Sequence, residues 1–271
     1  KLLFPFILCY DRKALLLVFT CSIMQKVSVT IITLNEEANI RACLESIKWA
    51  DEILVSDSGS SDKTIEICKE YGAKVFNDKW EGFGRQKNLI AGRARNKWIL
   101  NIDADERVIP QLHEEIESVL NESGCDGYNI PRKNFFGGRW IKYCGWHPDY
   151  NLRFYRKDKG CFNERNVHEA VQINGKTGYL KSPMEHYTYS DVSDYLKRMD
   201  RYSALSAEEM FKEGRKAGYF DILFRPLFTF LKMFFLQKGF MEGRTGMVLS
   251  GLYASYTLSK YAKLWEMSGK R

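Results

Sequence analysis

The stretch Trp98-Ile99-Leu100-Asn101-Ile102-Asp103-Ala104-Asp105-Glu106 decides how this chain is to be read. It is an apolar strand that ends in two carboxylates one residue apart, and residues i and i+2 of an extended chain face the same side. Asp103 and Asp105 can therefore point together into one cleft. Such a pair suits a hard cation: carboxylate oxygens bind Mg²⁺ or Mn²⁺ and leave positions open for the oxygens of a diphosphate, whose charge the metal neutralises as it departs. The plainer alternative is a strand-to-helix turn with Asp at a helix N-cap, since Pro110 follows and an amphipathic helix is expected over His113 to Leu120.

The residues before this stretch repeat its grammar. Val27 to Leu34 is a β-branched run suited to a buried strand, and Ile40, Leu44 and Ile47 share one face of the helix that follows. Glu52 to Ser56 reads as a second strand, Lys63 to Tyr71 as a helix, Val75 and Phe76 as a third strand, and Gln86 to Arg93 as another helix. Alternation at this spacing predicts an α/β domain built on a parallel sheet with crossover helices, whose binding loops gather at the carboxyl ends of the strands. After about residue 125 the pattern changes to short strands, Gly127 to Pro131 and Asn151 to Arg156, separated by the glycine- and aromatic-rich loop Phe135 to Trp140. From Asp194 the chain turns helical.

With 271 residues and 45% hydrophobic content, the chain can bury a sizeable core. Its net charge of +7 is unevenly placed: residues 197–271 hold 14 Lys and Arg against 7 Asp and Glu, which leaves 27 against 27 before them. The seven cysteines show no CxxC or other metal-ligand spacing, and their odd number argues against a full disulfide framework, so a reducing cytoplasm is expected. Residues 1–25 are apolar but interrupted by Asp11-Arg12-Lys13, so neither run reaches the ~18 residues of a bilayer span. They are expected to be a dispensable N-terminal extension, with a natural start near Met24. The segment Tyr219 to Leu236 combines dense Phe, Leu and Met with Arg225 and Lys232, and Pro226 is expected to break it. This fits an interfacial helix on an anionic membrane surface.

Four loops fall at strand ends: Thr33 to Glu36, Asp57 to Asp62, Gly84 to Asn88, and Asp103 to Asp105. In order and spacing, from about Val27 to Arg107, they resemble the inverting, metal-dependent GT-A glycosyltransferases of family 2. Asn166-Val167-His168-Glu169, His186 to Ser190, and the tail from Gly239 to Trp265 resemble the branch that builds lipopolysaccharide core, whose members are similar to β-glucosyltransferases acting on an inner-core heptose. The resemblance implies a GT-A (Rossmann-like) nucleotide-sugar-binding domain with a mixed central sheet over residues 26–193 and a helical, membrane-associating region over 194–271. It implies a UDP-hexose donor, most simply UDP-glucose, and a lipid-anchored glycan acceptor. It also implies peripheral attachment at the cytoplasmic face of the bacterial inner membrane.

By the same resemblance Asp57 would contact the uracil ring, and Thr33 and Glu36 would line the nucleotide pocket. A carboxylate can accept the uracil N–H. Where many relatives carry two adjacent aspartates this chain has Asp57-Ser58. Arg85 and Lys87 are candidates for base or phosphate contacts, or else a solvated helix face. Asp105 matches the principal metal-binding carboxylate, Asp103 would reach the ribose or the metal through water, and His186 stands where many GT-A enzymes place a metal-binding histidine. Inversion requires one base for the acceptor hydroxyl. Glu169 is the candidate, with His168 orienting it or touching substrate and Asp149 as runner-up. Trp146, among Trp140, Tyr143 and Trp146 on a loop expected to cover the cleft, is the candidate for stacking on the acceptor sugar.

Three rivals follow. An aspartyl phosphohydrolase fits poorly, because Arg107 stands where Thr or Val is usual and the Asp pair lies on the fourth strand. A polyprenyl-phosphate glycosyltransferase would equally explain the apolar, basic tail. A noncatalytic nucleotide-binding membrane protein would not need both aspartates and Glu169. No nucleic-acid partner is expected, because the basic surplus is interleaved with bulky apolar residues.

Overall fold

The computed structural model describes residues 25–122, 124–163 and 169–269. Expectations for residues 1–24 and for His168 fall outside them. Gln25 is tied in: its amide donates to the Leu120 carbonyl and accepts from the Trp98 indole.

Strand β1 (Val27–Thr33) sits at the centre because both of its faces are covered. Val29 and Ile31 are fully buried in the main core, while Ser28 and Thr30, equally buried on the other face, pair with Glu52 and Asn101. Strands buried on both sides are characteristic of parallel sheets flanked by helices. β1 is followed by α1 (Glu37–Ser46), β2 (Glu52–Asp57), α2 (Thr64–Glu70), β3 (Lys74–Asn77), α3 (Phe83–Arg93) and β4 (Trp98–Asp103), and the four strands run parallel in the order β3-β2-β1-β4. Register pairs Thr33 with Asp57 and Ile32 with Asp103, so the three central strands end nearly level.

The chain continues through β5 (Glu106–Val108), α4 (Pro110–Glu122), β6 (Gly127–Phe136), β7 (Arg139–Trp140), β8 (Tyr150–Arg156), β9 (Gly160–Phe162), β10 (Val171–Ile173), β11 (Thr177–Tyr179) and β12 (Met184–Tyr189). Here the sheet becomes mixed. β8 lies antiparallel between β4 and β6, β12 runs parallel to β6, and β5 closes the edge antiparallel to β12. β7 and β11 pair with β6, and β9 pairs with β10. Ile40, Leu44, Leu112 and Ile116 of α1 and α4 cover one face of the sheet, and Ile90 and Ala91 of α3 cover the other. Asp105 therefore does not cap a helix. A short strand intervenes, and α4 begins only at Pro110.

Three helices complete the chain: α5 (Val192–Lys212), α6 (Tyr219–Leu231) and α7 (Arg244–Gly269), with a π-turn at Lys232–Leu236 and a 3-10 turn at Gly239–Glu242. Pro226 lies inside α6 and does not end it; one backbone hydrogen bond is forfeited and the helix continues to the π-turn. The aromatic loop does not cover the cleft as expected. Phe136, Ile141, Cys144 and Trp146 instead form a core with Tyr195, Met233 and Leu249, so the loop joins the sheet to the C-terminal helices. Buried Glu242 accepts the backbone N–H groups of Lys142 and Tyr143 and pairs with Arg139 at 2.9 Å. Gly246 and Gly239 let α7 approach this turn, since a Cβ on Gly246 would stand 1.8 Å from the Gly239 carbonyl oxygen.

Candidate active site

A cleft of about 1290 Å³ opens at the carboxyl ends of β1 and β4, and Thr33, Glu36, Lys87, Asp103, Asp105, Glu169 and His186 all line it. This is where an open α/β sheet presents its loops. β4 delivers Asp103 as its last residue, and Asp105 follows in the turn. The pairing of β5 with β12 sets His186 opposite Glu106, and the Tyr187 N–H donates to the Asp105 carbonyl, so His186 comes beside Asp105.

The two aspartates have different surroundings. Asp103 Oδ1 lies 2.9 Å from Lys87 Nζ, and its Oδ2 lies 2.6 Å from Arg153 Nη2. Burial opposes its ionisation, but Arg153 and then Lys87 outweigh that cost and hold its pKa far below the usual carboxylate range. Both oxygens are thus already taken by cations. Beneath them Glu106, fully buried, accepts from Arg153, Arg132 and the Asp103 N–H. Asp105 instead faces His186 Nε2 at 3.7 Å and Arg198 Nη1 at 3.4 Å. Burial raises its pKa, and the neighbouring His186, with a smaller contribution from Arg198, turns the net shift downward.

Among the described residues no group of three or more His, Cys, Asp and Glu side chains is arranged to hold a metal ion; of the expected Asp103, Asp105 and His186, Asp103 has both oxygens paired to cations, while Asp105 and His186 face each other. These two fit. Asn134 Nδ2 faces the Trp146 carbonyl and Asp149 Oδ2, which leaves Asn134 Oδ1 to accept from His186 Nδ1 at 2.6 Å. The proton of a neutral His186 is thereby held on Nδ1, and the Nε2 lone pair is directed at Asp105. The 3.7 Å gap is too long for a hydrogen bond. A carboxylate and an imidazole suit Mg²⁺ or Mn²⁺ when substrate oxygens and water complete the shell.

Glu169 stands two residues before β10, with Oε1 3.0 Å from Lys87 Nζ. Lys87 is almost completely buried and bridges Glu169 and Asp103. Glu36 lines the cleft with its pKa raised by burial, a shift that Asn39 opposes and the nearby Asp105 and Asp103 reinforce.

Four candidates are placed elsewhere. Asp57 is fully buried and accepts from the Thr33 hydroxyl, the Gly59 and Ser60 N–H groups and the Ser60 hydroxyl, so its carboxylate braces the loop after β2. Uracil would have to compete with four donors for it. Arg85 borders a separate small depression with Glu81, Gln86, Asn88 and Leu89. Trp146 is buried in the core beneath α5 and α7. Asp149 is held by Arg132, Asn134 and Asn151, which lower its pKa against the effect of burial, and it does not line the cleft. The sequence reading missed Arg153, Arg198 and Glu106. An arginine between Leu152 and Phe154 in a strand was a usable signal, since a buried guanidinium requires carboxylates. Arg198 carried none, because Asp194 and Arg198 look like any i,i+4 surface pair.

Residues 28–188 match the family model described as Glycosyl transferase family 2. A glycosyltransferase of Rickettsia typhi, described as uncharacterized, is 33% identical over 260 residues, spanning 91% of this chain and 89% of the relative. The lipopolysaccharide core biosynthesis glycosyltransferase LpsC of Rhizobium meliloti is 28% identical over 250 residues, spanning 87% and 93%. A crystal structure of S. aureus TarS 1–349 in complex with UDP superposes with a TM-score of 0.46 at 17% identity, over 91% of this chain and 92% of that one.

Proposed function

This chain belongs to glycosyl transferase family 2 and has the GT-A fold, and from that membership we propose that it is an inverting hexosyltransferase carrying glucose from UDP-glucose to the inner core of lipopolysaccharide, or to a related lipid-linked glycan. The name of LpsC, similar over most of both chains, supports the acceptor class. The observation that carries the reaction type is the convergence of Glu169, Lys87, Asp103, Asp105 and His186 on one cleft.

Glu169 accepts the proton of the acceptor hydroxyl as that oxygen forms a bond to the anomeric carbon, from the face opposite the diphosphate. The bond from that carbon to the diphosphate oxygen breaks, and its electron pair leaves with UDP. Asp105 and His186 would hold a divalent cation, which neutralises charge on the diphosphate when bound. Lys87 and Arg198 stand beside the same carboxylates and supply the protein's own positive charge to that group. Glu169 also favours a hydroxyl acceptor over a polyprenyl phosphate, because a phosphate oxygen is already ionised and needs no base.

The C-terminal helices support peripheral attachment at the cytoplasmic face of the inner membrane. No α6 side chain is fully buried, and Tyr219, Phe220, Leu223, Phe224, Leu227 and Phe228 are all more than half exposed. No helix among the described residues is long and apolar enough to cross a membrane. A search limited to the membrane surface would bring the enzyme to a lipid-anchored acceptor.

Purified full-length protein with Mg²⁺ or Mn²⁺ should transfer hexose from UDP-glucose, in preference to UDP-galactose or UDP-N-acetylglucosamine, to core lipopolysaccharide. Asp105→Ala and Glu169→Gln should each abolish transfer, and Glu169→Gln should still bind UDP. Tight UDP binding without transfer to this acceptor by the wild type would overturn the assignment.

A further inference from the structure

The positive charge lining the cleft is nearly all committed. Lys87 is paired with Asp103 and Glu169, Arg153 with Asp103 and Glu106, Arg132 with Glu106 and Asp149, and Arg198 with Asp105 and Asp194. Arg201 also lines the cleft, and it has no carboxylate partner among the described residues. It lies three residues beyond Arg198 on α5, about 4.5 Å farther along the helix on a neighbouring face. Tyr202 from α5 and Tyr253 and Tyr256 from α7 line the same wall. Tyr202 follows Arg201 on α5 and lines the cleft with it. Burial raises its phenol pKa, and the charges that reach it belong to Arg198, Arg201, Asp103 and Asp105.

This wall lies outside residues 28–188, the part that matches the family model, whereas Lys87, Asp103, Asp105 and Glu169 lie inside it. A diphosphate among those residues would be met by the proposed cation site at Asp105 and His186, beside Lys87 and Arg198, which are already shared with carboxylates. Arg201 carries a charge that no carboxylate among the described residues shares. Its planar fork of N–H donors matches a carboxylate or a phosphate, and tyrosine rings offer apolar faces to sugars with a hydroxyl at the edge. We infer that Arg201, with Tyr202, Tyr253 and Tyr256, forms an acceptor subsite for a glycan that carries an oxyanion beside the hydroxyl to be glycosylated. The inference rests on the transferase reading above and adds a requirement to it: the acceptor must be charged.

The test is a calorimetric titration of the full chain, saturated with UDP, using core oligosaccharide in three forms: native, phosphatase-treated and carboxyl-reduced. The native form should bind the wild type about tenfold more tightly than one of the stripped forms, and the form that loses affinity identifies the anion as phosphate or carboxylate. Arg201→Gln should abolish that difference while leaving UDP affinity unchanged. Equal binding of all three forms by the wild type, retained discrimination in Arg201→Gln, or a loss of UDP affinity in that variant would each overturn the subsite. Hexose transfer is read separately: native oligosaccharide that binds through Arg201 without receiving hexose would count against the transferase assignment and leave the subsite standing.

Discussion

The ammonium of Lys87 lies 3.0 Å from the carboxylate of Glu169, across 82 residues of sequence. Its ion pair with Asp103 Oδ1 at 2.9 Å links the end of β4 to the proposed base. A buried ammonium shared by two carboxylates holds both in place.

Lys87→Met should therefore lower kcat/KM by about a hundredfold or more, the range seen when a preorganised charge partner is removed. Lys87→Arg should recover only part of this, because a guanidinium fork does not reproduce a point charge between two carboxylates. Steady-state rates normalised to the folded fraction are the measurement, and more than a third of wild-type activity in Lys87→Met would exclude the role.

His186 depends on Asn134 for its tautomer. Asn134→Leu should raise the Mn²⁺ concentration needed for half-maximal activity about tenfold, and His186→Ala should raise it further, up to about a hundredfold. EDTA should abolish transfer by the wild type, with recovery on adding metal. A metal titration that is unchanged in His186→Ala would remove that residue from the ligand set.

Much of the parallel half of the sheet, with its strand-end loops, was legible in the sequence, because it is local. β-branched runs, helix periodicity and strand-end polar loops are written in consecutive residues, and they located β1, β2, β4 and the loop containing Asp103 and Asp105. What was not legible is long range. Asp57 has the right residue type in the right loop, yet four donors converge on it only once β1 and its own loop fold together. Trp146 sits on a glycine-containing loop that looks mobile until α5 and α7 pack over it. Arg198 reaches Asp105 across 93 residues, and nothing near either residue announces the pairing.

Glu52 couples stability to pH. Burial works against its ionisation, but the Arg95 backbone N–H and guanidinium, the Lys74 ammonium and the Ser28 hydroxyl hold its pKa at about 2, below the ordinary 4.5. A depressed carboxylate contributes stability above its unfolded pKa, and loses it as pH falls from about 4.5 toward about 2. The shift corresponds to roughly 3 kcal/mol at neutral pH. Glu52→Gln should lower the Tm at pH 7 and flatten the loss of stability below pH 5, as followed by thermal melts across that range. A parallel pair of Tm curves for wild type and variant would show that Glu52 does not carry this coupling.

α6 gives the membrane proposal its sharpest test. Phe220, Phe224 and Phe228 recur at i, i+4 and i+8, are each more than half exposed, and Phe220 stacks on Phe224. Transfer of such a face into the interfacial region is favourable by about 25 cal/mol per Å² of apolar surface, with basic side chains adding attraction to anionic headgroups. Replacing the three with Ser should leave UDP binding intact, because none of them lines the cleft. It should reduce co-sedimentation with phosphatidylglycerol-containing vesicles at least tenfold and slow transfer to membrane-bound acceptor, but not to a soluble core oligosaccharide. Wild-type binding should weaken, without vanishing, as salt rises, since screening removes the electrostatic part and leaves the apolar part. If the triple variant sediments with vesicles as the wild type does, α6 is not the attachment face, and its exposed aromatic residues must be covered by another protein surface.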